Sequence, residues 1–474
     1  MSLELLRQQP QVLNVGLASF AEAISSAGGK VTPIDWAPPA GGDEAVGRML
    51  ARLVNHPRVE AANRKAFDAY LAAQPVLEGV GIAGKLIPGL RQRLILHSGP
   101  PIGWERMAGP VRGAVIGAVL FEGWADDPDG ALKLIERGEI AFAPCHHHGA
   151  VGPMAGIISP SMPVWIIGEA NSGRRTYSNF NEGIGKVLRF GANSPDVIER
   201  LRWMTSVLYA VLEATFIESG SIDIKPLIAQ ALHMGDECHN RNVAATALLS
   251  KRLLPSMLRS QASREDIAAS LAFIGATDHF CLNISMAACK AMLDVARDVA
   301  GSSMVTAMAR NGVDFGIQLS GTGDRWFVAP APVVDGLYFP GYSKNDAACD
   351  LGDSAITETA GLGAFAMAAA PAIVSWVGGS AEDVIATTTA MGHITLGRNS
   401  AFTLPAMNFA GTPAGIDARK VVDTGLLPII NTGIAHREAG IGQIGAGITH
   451  APLACFTQAV AALAGTLGEE LGEE

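Results

Sequence analysis

Glycine and proline divide residues 75–193 into short apolar runs, and this division constrains the fold more than any other feature of the sequence. The runs RLILHSG, GAVIGAVLFEG, EIAFAP and VWIIGEA are short and bounded by turn-forming residues, which is typical of buried strands. Among them, DGALKLIERG has helical spacing, and Asp129 is its expected N-cap. We therefore predict a first α/β domain over 75–193.

A different pattern begins at Ser194 and continues to residue 300. Ser194 and Pro195 occupy the positions that favour a helix start, and the apolar residues that follow recur with helical period. Ser263 and Asp266 stand at capping spacing further along. We predict a small helical domain over 194–300.

Glycine-rich apolar runs return after Gly301. VDFGIQL and WFVAPAP are the clearest predicted strands, and an apolar helix is predicted over 451–467. We expect a second α/β domain over 301–474. The fold class is therefore α/β, or α+β complex, with two irregular α/β domains and the helical domain between them.

The N-terminal stretch predicts a strand, a helix and a strand over 12–36, followed by helical sequence over 45–73. A unit this small cannot bury both of its own faces. We therefore expect 1–74 to form an N-terminal α/β arm and linker that packs on something larger, such as a neighbouring subunit.

Composition narrows the class of protein. Only 17% of the residues are charged and 49% are hydrophobic, which favours a compact body and a homo-oligomer. The net charge of −10 argues against nucleic-acid binding, which needs a basic face. The six cysteines form no C-x-x-C pair and no signal peptide is recognisable, so we expect a reduced, cytoplasmic protein.

One uncharged stretch, 359–380, is long enough to raise the question of a membrane span. It is rich in alanine and glycine, contains Pro371 midway and lacks basic flanks. We expect a buried soluble element there and no membrane contact.

Three consecutive histidines, His146, His147 and His148, follow the predicted strand EIAFAP. Consecutive residues do not share a face, so the run cannot hold a metal by itself. A strand-end loop could still direct one or two imidazoles into a ligand site; satisfied polar packing is the alternative. Cys145 is either a nucleophile or a small buried thiol, and the buried thiol is the commoner case.

The segment HMGDECHNRN, residues 233–242, is dense in polar residues between apolar helices. A capped helix start with a Glu237–Arg241 pair would explain its charged residues. That interpretation leaves His233, His239 and the two asparagines unexplained, so a functional role stays open. A metal site through His233, Asp236 and His239 matches no recognised signature.

Two further loops offer groups that suit anions. Arg174 and Arg175 follow an apolar strand closely, and guanidinium groups suit carboxylate or phosphate; a solvated loop is the alternative. Gly321, Gly323 and Arg325 form a second candidate anion cradle, for which a plain turn is equally suitable. The acidic and hydroxyl residues of LGDSAITETAG, 351–361, are explained by helix capping alone.

Four long stretches together resemble the YlbE-like bacterial family: NVGLASFAEAISSAGGKVTPIDWAPPAGGD, FAPCHHHGAVGPMAGIISPSMPV, HMGDECHNRN and ITETAGLGAFAMAAAPA. The resemblance implies irregular α/β domains around a small helical domain, and a partner of the FdrA type, similar to acyl-CoA synthetases. It also implies a subunit of oxamate carbamoyltransferase, which interconverts oxalurate plus phosphate with oxamate plus carbamoyl phosphate. The resemblance assigns no residue roles. The S-x-R-T phosphate loop of better-known carbamoyltransferases is missing, since SGRRT differs from it.

Three hypotheses follow. A carbamoyltransferase subunit acting on a small anionic carboxylate predicts that loops 145–149, 171–175 and 236–242 meet in one pocket. An amide or ureide hydrolase, with or without a metal, needs convergent histidines. A non-catalytic scaffold would order its FdrA-type partner without chemistry of its own.

We expect no cofactor and no metal. The catalytic candidates are His146, His147, His148, His233, Glu237 and His239. The substrate-binding candidates are Asn171, Arg174, Arg175, Asn240, Arg241, Asn242, Gly321, Gly323 and Arg325.

Overall fold

The computed structural model describes residues 11–34 and 38–471. The helices are α1 (Ala18–Ser26), α2 (Glu44–Leu53), α3 (Pro57–Ala72), α4 (Ala83–Leu86), α5 (Gly109–Phe121), α6 (Pro128–Glu136), α7 (Pro195–Trp203), α8 (Tyr209–Ser219), α9 (Ile224–His233), α10 (Val243–Arg259), α11 (Arg264–Gly275), α12 (Leu282–Asp294), α13 (Ile356–Thr359), α14 (Val374–Val377), α15 (Ala381–Met391), α16 (Ala418–Thr424) and α17 (Leu453–Leu471).

The strands are β1 (Gln11–Val15), β2 (Lys30–Ile34), β3 (Pro75–Ile82), β4 (Leu94–His97), β5 (Ala141–Pro144), β6 (Pro163–Glu169), β7 (Arg175–Asn179), β8 (Ile222–Asp223), β9 (Val305–Asn311), β10 (Asp314–Leu319), β11 (Phe327–Pro330), β12 (Asp335–Tyr338), β13 (Leu351–Gly352), β14 (Thr395–Leu404), β15 (Ala410–Ile416), β16 (Ile429–Ala435) and β17 (Gln443–His450).

The strands form small sheets rather than one continuous sheet. Two four-stranded antiparallel sheets have the orders β7-β6-β3-β8 and β11-β10-β9-β13. A three-stranded sheet, β12-β17-β16, and the pair β14-β15 are also antiparallel, whereas β4-β5 and β1-β2 are parallel pairs. The predicted mixed α/β class is confirmed; the domain boundaries stay predictions.

Several local predictions are confirmed because short-range chemistry decides them. Ser194 precedes α7 with Pro195 at its first position, and the Ser263 hydroxyl accepts a hydrogen bond from the Asp266 N–H. The predicted helices over 45–73 and 451–467 form as α2, α3 and α17. The segments VDFGIQL and WFVAPAP contain β10 and β11.

Two local predictions are wrong. GAVIGAVLFEG lies in helix α5 instead of a strand, because α5 is buried on most sides and therefore lacks the polar face that would reveal its helical period. Gly113 of α5 permits contact with the next layer, since a Cβ there would lie 2.3 Å from the Gly191 carbonyl oxygen. The N-cap of α6 is Asp127 rather than Asp129, since Asp127 accepts from the Gly130 N–H.

The N-terminal arm has the predicted strand–helix–strand order over its described residues, with β1 and β2 parallel. Residues 35 and 36 of the predicted second strand lie outside the described residues. Large apolar side chains of the arm are exposed, namely Leu13, Val15, Leu17 and Phe20. Packing of this arm on a neighbouring subunit stays a prediction.

The uncharged stretch 359–380 forms short helical turns, and its first part is buried as expected. Within the described residues, no helix has both the length and the apolarity that a bilayer crossing requires.

Helix α12 and the segment 350–358 form the interior framework. Every residue from Leu282 to Leu293 is buried. The Arg310 guanidinium donates to both carboxylate oxygens of Asp350 at 2.7 and 2.9 Å and to the Gly352 carbonyl oxygen at 2.7 Å. This buried anchor fixes the start of 350–358, which carries the carboxylates Asp353 and Glu358.

Candidate functional site

The polar segment 236–242 forms a loop between α9 and α10 rather than the start of a helix. The Asp236 carboxylate accepts from the Ala245 N–H at 2.8 Å, so it caps α10 from outside the helix. The expected Glu237–Arg241 side-chain pair is wrong. Glu237 instead accepts from the backbone N–H of Arg241 at 2.8 Å, which closes the loop.

His239 forms a buried pair with Glu358. Its Nδ1 lies 2.8 and 3.0 Å from the two carboxylate oxygens, and both side chains are almost fully buried. Glu358 also accepts from the Ala364 N–H at 3.0 Å and from the Thr357 hydroxyl at 3.0 Å. Because a carboxylate only accepts, Nδ1 of the neutral imidazole carries the proton and Nε2 keeps its lone pair. This arrangement suits a general base.

A cavity of about 120 Å³, with room for one small carboxylate, is lined by the residues that directly follow His239 in the chain. It is lined by Gly183, Ile184, Asn240, Arg241, Asn242, Val243, Ala276, Thr277, Asp278, His279 and Trp376. Nδ2 of Asn240 and Oδ1 of Asn242 are buried without a hydrogen-bond partner. Buried polar atoms are nearly always paired, so these two indicate a ligand or ordered water.

Backbone carbonyl groups hold the side chains of Arg241 and His279, two of the residues that line the cavity. Nε of Arg241 donates to the Gly235 carbonyl oxygen at 3.2 Å. Burial lowers the pKa of His279 to about 3, so its imidazole is neutral and its Nε2 donates to the Asn240 carbonyl oxygen at 2.9 Å. The Asn240–Asn242 backbone is therefore fixed before any ligand arrives.

A second polar cluster surrounds the histidine run. Residues Cys145–His148 form a single helical turn directly after β5, ended by Gly149 with a φ of 67°. The His146 ring is 2% exposed, stands edge-on to Trp326 and has Nε2 3.7 Å from an Asp353 carboxylate oxygen. Nε2 of exposed His147 accepts from the Trp326 indole N–H at 2.9 Å.

Asp353 is held by the carboxyl ends of the parallel pair β4-β5. Its carboxylate accepts from the N–H groups of Gly99 at 2.8 Å and Gly152 at 3.0 Å. Burial outweighs these bonds and raises the pKa of Asp353 to about 7. The nearby Cys145 thiol donates to the Gly156 carbonyl oxygen, and burial raises its pKa well above the ordinary value, which disfavours a nucleophilic thiolate.

The predicted site residues fall into three groups. Asn240, Arg241 and Asn242 line the cavity, and Glu237 and His239 belong to the same 236–242 loop. His146 and His147 belong to the second cluster, together with Arg174, whose Nη1 donates to the Asp294 carbonyl oxygen at 2.8 Å. The expected meeting of loops 145–149, 171–175 and 236–242 in one pocket is wrong, since the cavity lining includes only the last of them.

The remaining predicted residues make local bonds away from the cavity. His148 bonds to the Pro88 carbonyl oxygen, His233 to the Thr403 hydroxyl, Asn171 to the Ala72 carbonyl oxygen, Arg175 to Glu78 and the Gly321 N–H to the Ser302 carbonyl oxygen. Arg325 is exposed and stacks over Phe327, and Gly323 has a positive φ at the tip of its turn.

The residues proposed for a metal site do not converge. His233 bonds to Thr403, Asp236 to Ala245 and His239 to Glu358. Across 11–34 and 38–471, no group of three or more histidine, cysteine or acidic side chains is placed to hold a metal ion.

Sequence reasoning missed Asp353, Glu358 and Lys290. The first two lie in LGDSAITETAG, where helix capping seemed a sufficient explanation. Lys290 gave a usable signal, since it is a lysine inside the otherwise uncharged stretch Leu282–Leu293, and a charge there has to be paired.

The raised pKa of Glu237 predicts that the free energy of unfolding depends on pH. Burial raises its pKa from 4.5 to about 7, so it binds a proton in the folded state that the unfolded chain has already released. The stability of the parent chain should therefore fall relative to Glu237→Gln as pH rises from 5 to 7, by about 2–3 kcal/mol, and then level off. Urea titrations of both proteins at pH 5, 6, 7 and 8 measure this difference; a constant difference would contradict the raised pKa.

Comparison with known proteins identifies relatives of this chain. A family model described as oxamate carbamoyltransferase subunit AllG matches residues 140–354. Oxamate carbamoyltransferase subunit AllG of Escherichia coli (strain K12) is 49% identical over 414 residues, 86% of this chain and 99% of that protein. The protein named uncharacterized protein YahG, from the same strain, is 45% identical over 463 residues, 97% of this chain and 98% of that protein.

A solved structure extends the likeness to three dimensions. The crystal structure of a conserved protein of unknown function from Enterococcus faecalis V583 has a TM-score of 0.85 and 47% sequence identity. The match covers 86% of this chain and 98% of that one. Likeness in sequence and in fold therefore extends over most of the chain.

Proposed function

This chain belongs to the AllG family, and from that premise we propose that it is a subunit of an oxamate carbamoyltransferase-type enzyme. We also propose that it works with a partner of the FdrA type, as the resemblance to the YlbE-like family implies. Its own contribution is a site for the small carboxylate that accepts or releases the carbamoyl group. The observation that carries this proposal is the Asn240–Asn242 cavity, whose lining directly follows His239 of the His239–Glu358 pair in the chain.

Three of the lining residues can supply partners for the polar groups of oxamate. Oxamate has a carboxylate at one end and a carboxamide at the other. The Arg241 guanidinium supplies the charged donors for the carboxylate. The unpartnered Nδ2 of Asn240 can donate to the amide carbonyl oxygen, and the unpartnered Oδ1 of Asn242 can accept from the amide N–H.

His239 then acts as the general base. As the oxamate nitrogen attacks the carbamoyl carbon, a C–N bond forms and the C–O bond to phosphate breaks. Because His239 follows the cavity lining rather than forming part of it, the proton that leaves the nitrogen passes through one water to Nε2 of His239. The Glu358 carboxylate stabilises the resulting imidazolium. In the reverse direction the imidazolium returns the proton to the departing nitrogen.

Substitution of Arg241 tests whether oxamate binds in this cavity. We expect Arg241→Ala to weaken oxamate binding at least about tenfold, because a charge-assisted pair in a shielded cavity is lost. Isothermal titration of the purified chain with oxamate measures this effect. Arg252→Ala is the matched control, because Arg252 is exposed on α10 and lies outside the cavity.

The result for the control decides the interpretation. Equal loss of binding in both variants would mean that general charge attraction holds the ligand. Unchanged binding in Arg241→Ala would show that the oxamate carboxylate does not bind in this cavity.

A further inference from the structure

The cationic groups near the histidine run lie around the C-terminal end of α12. The Lys290 ammonium is 1% exposed and bonds to the Asp294 carboxylate at 3.0 Å. The Arg297 guanidinium lies 3.8 Å from the same carboxylate, and Arg174 binds the Asp294 carbonyl oxygen. The Asp294 carboxylate therefore serves both Lys290 and Arg297, and Asp324 is the second carboxylate partner of Arg297. Only if Asp324 moves away does one carboxylate face two cations.

His146 adds an unsatisfied group to this cluster. Both of its ring nitrogens are buried and have no hydrogen-bond partner. Burial first, then the charges of Lys290 and Arg297, lower the pKa of His146 well below its ordinary value, so the ring is neutral and has one N–H to donate. Nε of Arg297 is likewise buried without a partner.

Asp324 occupies the open side of the cluster. It stands at the tip of the turn that follows Ser320–Thr322, and its side chain is 77% exposed. It nevertheless forms an ion pair with Arg297, whose side chain is largely buried. The neighbouring Trp326 closes the same side through its hydrogen bond to His147.

We propose that this cluster, formed by His146, His147, Lys290, Arg297 and Trp326, is a binding site for a phosphate-type oxyanion that Asp324 closes in the unliganded chain. The Asp324 carboxylate occupies the place of one ligand oxygen on Arg297. The cluster contains donors of three kinds, ammonium, guanidinium and imidazole, which suits an oxyanion with several acceptor oxygens. The Trp326 indole N–H is already engaged with His147. Opening requires the exposed Asp324 side chain to release Arg297.

This site is separate from the Asn240–Asn242 cavity, so the proposal does not depend on the proposed function. No residue of the cluster lines that cavity. The segment 350–358 connects the two sites, since its Asp353 faces His146 and its Glu358 faces His239.

A titration with inorganic phosphate, monitored by calorimetry and by ³¹P NMR, tests the proposal. Asp324→Asn should bind phosphate about tenfold more tightly than the parent chain, because the internal competitor for Arg297 is removed. Asp298→Asn is the matched control, since it removes an exposed carboxylate from the same neighbourhood without breaking an observed ion pair. Arg297→Gln should abolish binding, and Arg297→Lys should restore part of it.

The outcomes separate the alternatives. An equal gain in phosphate affinity in Asp324→Asn and Asp298→Asn would show general electrostatic attraction. It would contradict the proposal that Asp324 closes the site. Phosphate binding that survives in Arg297→Gln would overturn the site, and preference for acetate over phosphate would overturn the ligand class. Arg241→Ala should leave phosphate affinity unchanged, which distinguishes failure here from failure of the carboxylate cavity.

Discussion

Replacing Arg310 with methionine is expected to lower the free energy of unfolding by about 3–5 kcal/mol. The Arg310 and Asp350 side chains are fully buried, so the substitution leaves the Asp350 carboxylate without its partner in the protein interior. Bonds from the same guanidinium to the Gly352 carbonyl oxygen and the Thr432 hydroxyl are lost as well. Urea denaturation followed by circular dichroism measures the change.

Two controls make this prediction specific. Arg48→Met removes a salt bridge to Glu44 whose partners are both exposed, and it should leave stability almost unchanged. The double variant Arg310→Met/Asp350→Leu removes both charges and should recover much of the loss. If Arg310→Met is as stable as the parent chain, the anchor does not hold the 350–358 segment.

Replacing His239 with glutamine is expected to lower kcat by about 10²–10⁴-fold, the usual contribution of a general base. The measurement is phosphate release from oxalurate, or the reverse reaction from carbamoyl phosphate and oxamate, in the complex with the FdrA-type partner. Binding of oxamate should change little, since His239 does not line the Asn240–Asn242 cavity. A fall in kcat without loss of binding identifies a catalytic rather than a structural role.

The control lies in the same sequence motif. His233→Gln changes an exposed histidine that bonds to Thr403, and it should leave kcat unchanged. If His239→Gln also has full activity in the complex, the chain is a scaffold and the chemistry belongs to its partner.

Local features of the fold could be predicted from the sequence, because neighbouring residues determine them. The starts of α7 and α11 depend on serine and proline within a few positions. Helix α5 could not be recognised, since its burial on most sides removed the polar face that distinguishes a helix from a strand. The helix start expected within 236–242 comes later, at Val243, and the Asp236 carboxylate accepts from the Ala245 N–H nine residues away.

Prediction of the candidate site was limited by sequence separation. A capped helix start with a Glu237–Arg241 pair left His239, Asn240 and Asn242 unexplained, which made them candidates. Their partner Glu358 is 119 positions from His239, and nothing in its own surroundings distinguished it from a capping residue. The division into two clusters depends on how α12 and 350–358 cross the interior, which single-sequence patterns do not encode.

The position of bound oxamate in a crystal structure of this chain tests the central claim most directly. The account predicts the oxamate carboxylate on the Arg241 guanidinium, with the carboxamide between Nδ2 of Asn240 and Oδ1 of Asn242, and its nitrogen towards His239. Oxamate bound instead at His146 and Arg297, or an empty Asn240–Asn242 cavity in crystals of a chain that binds oxamate in solution, would contradict it.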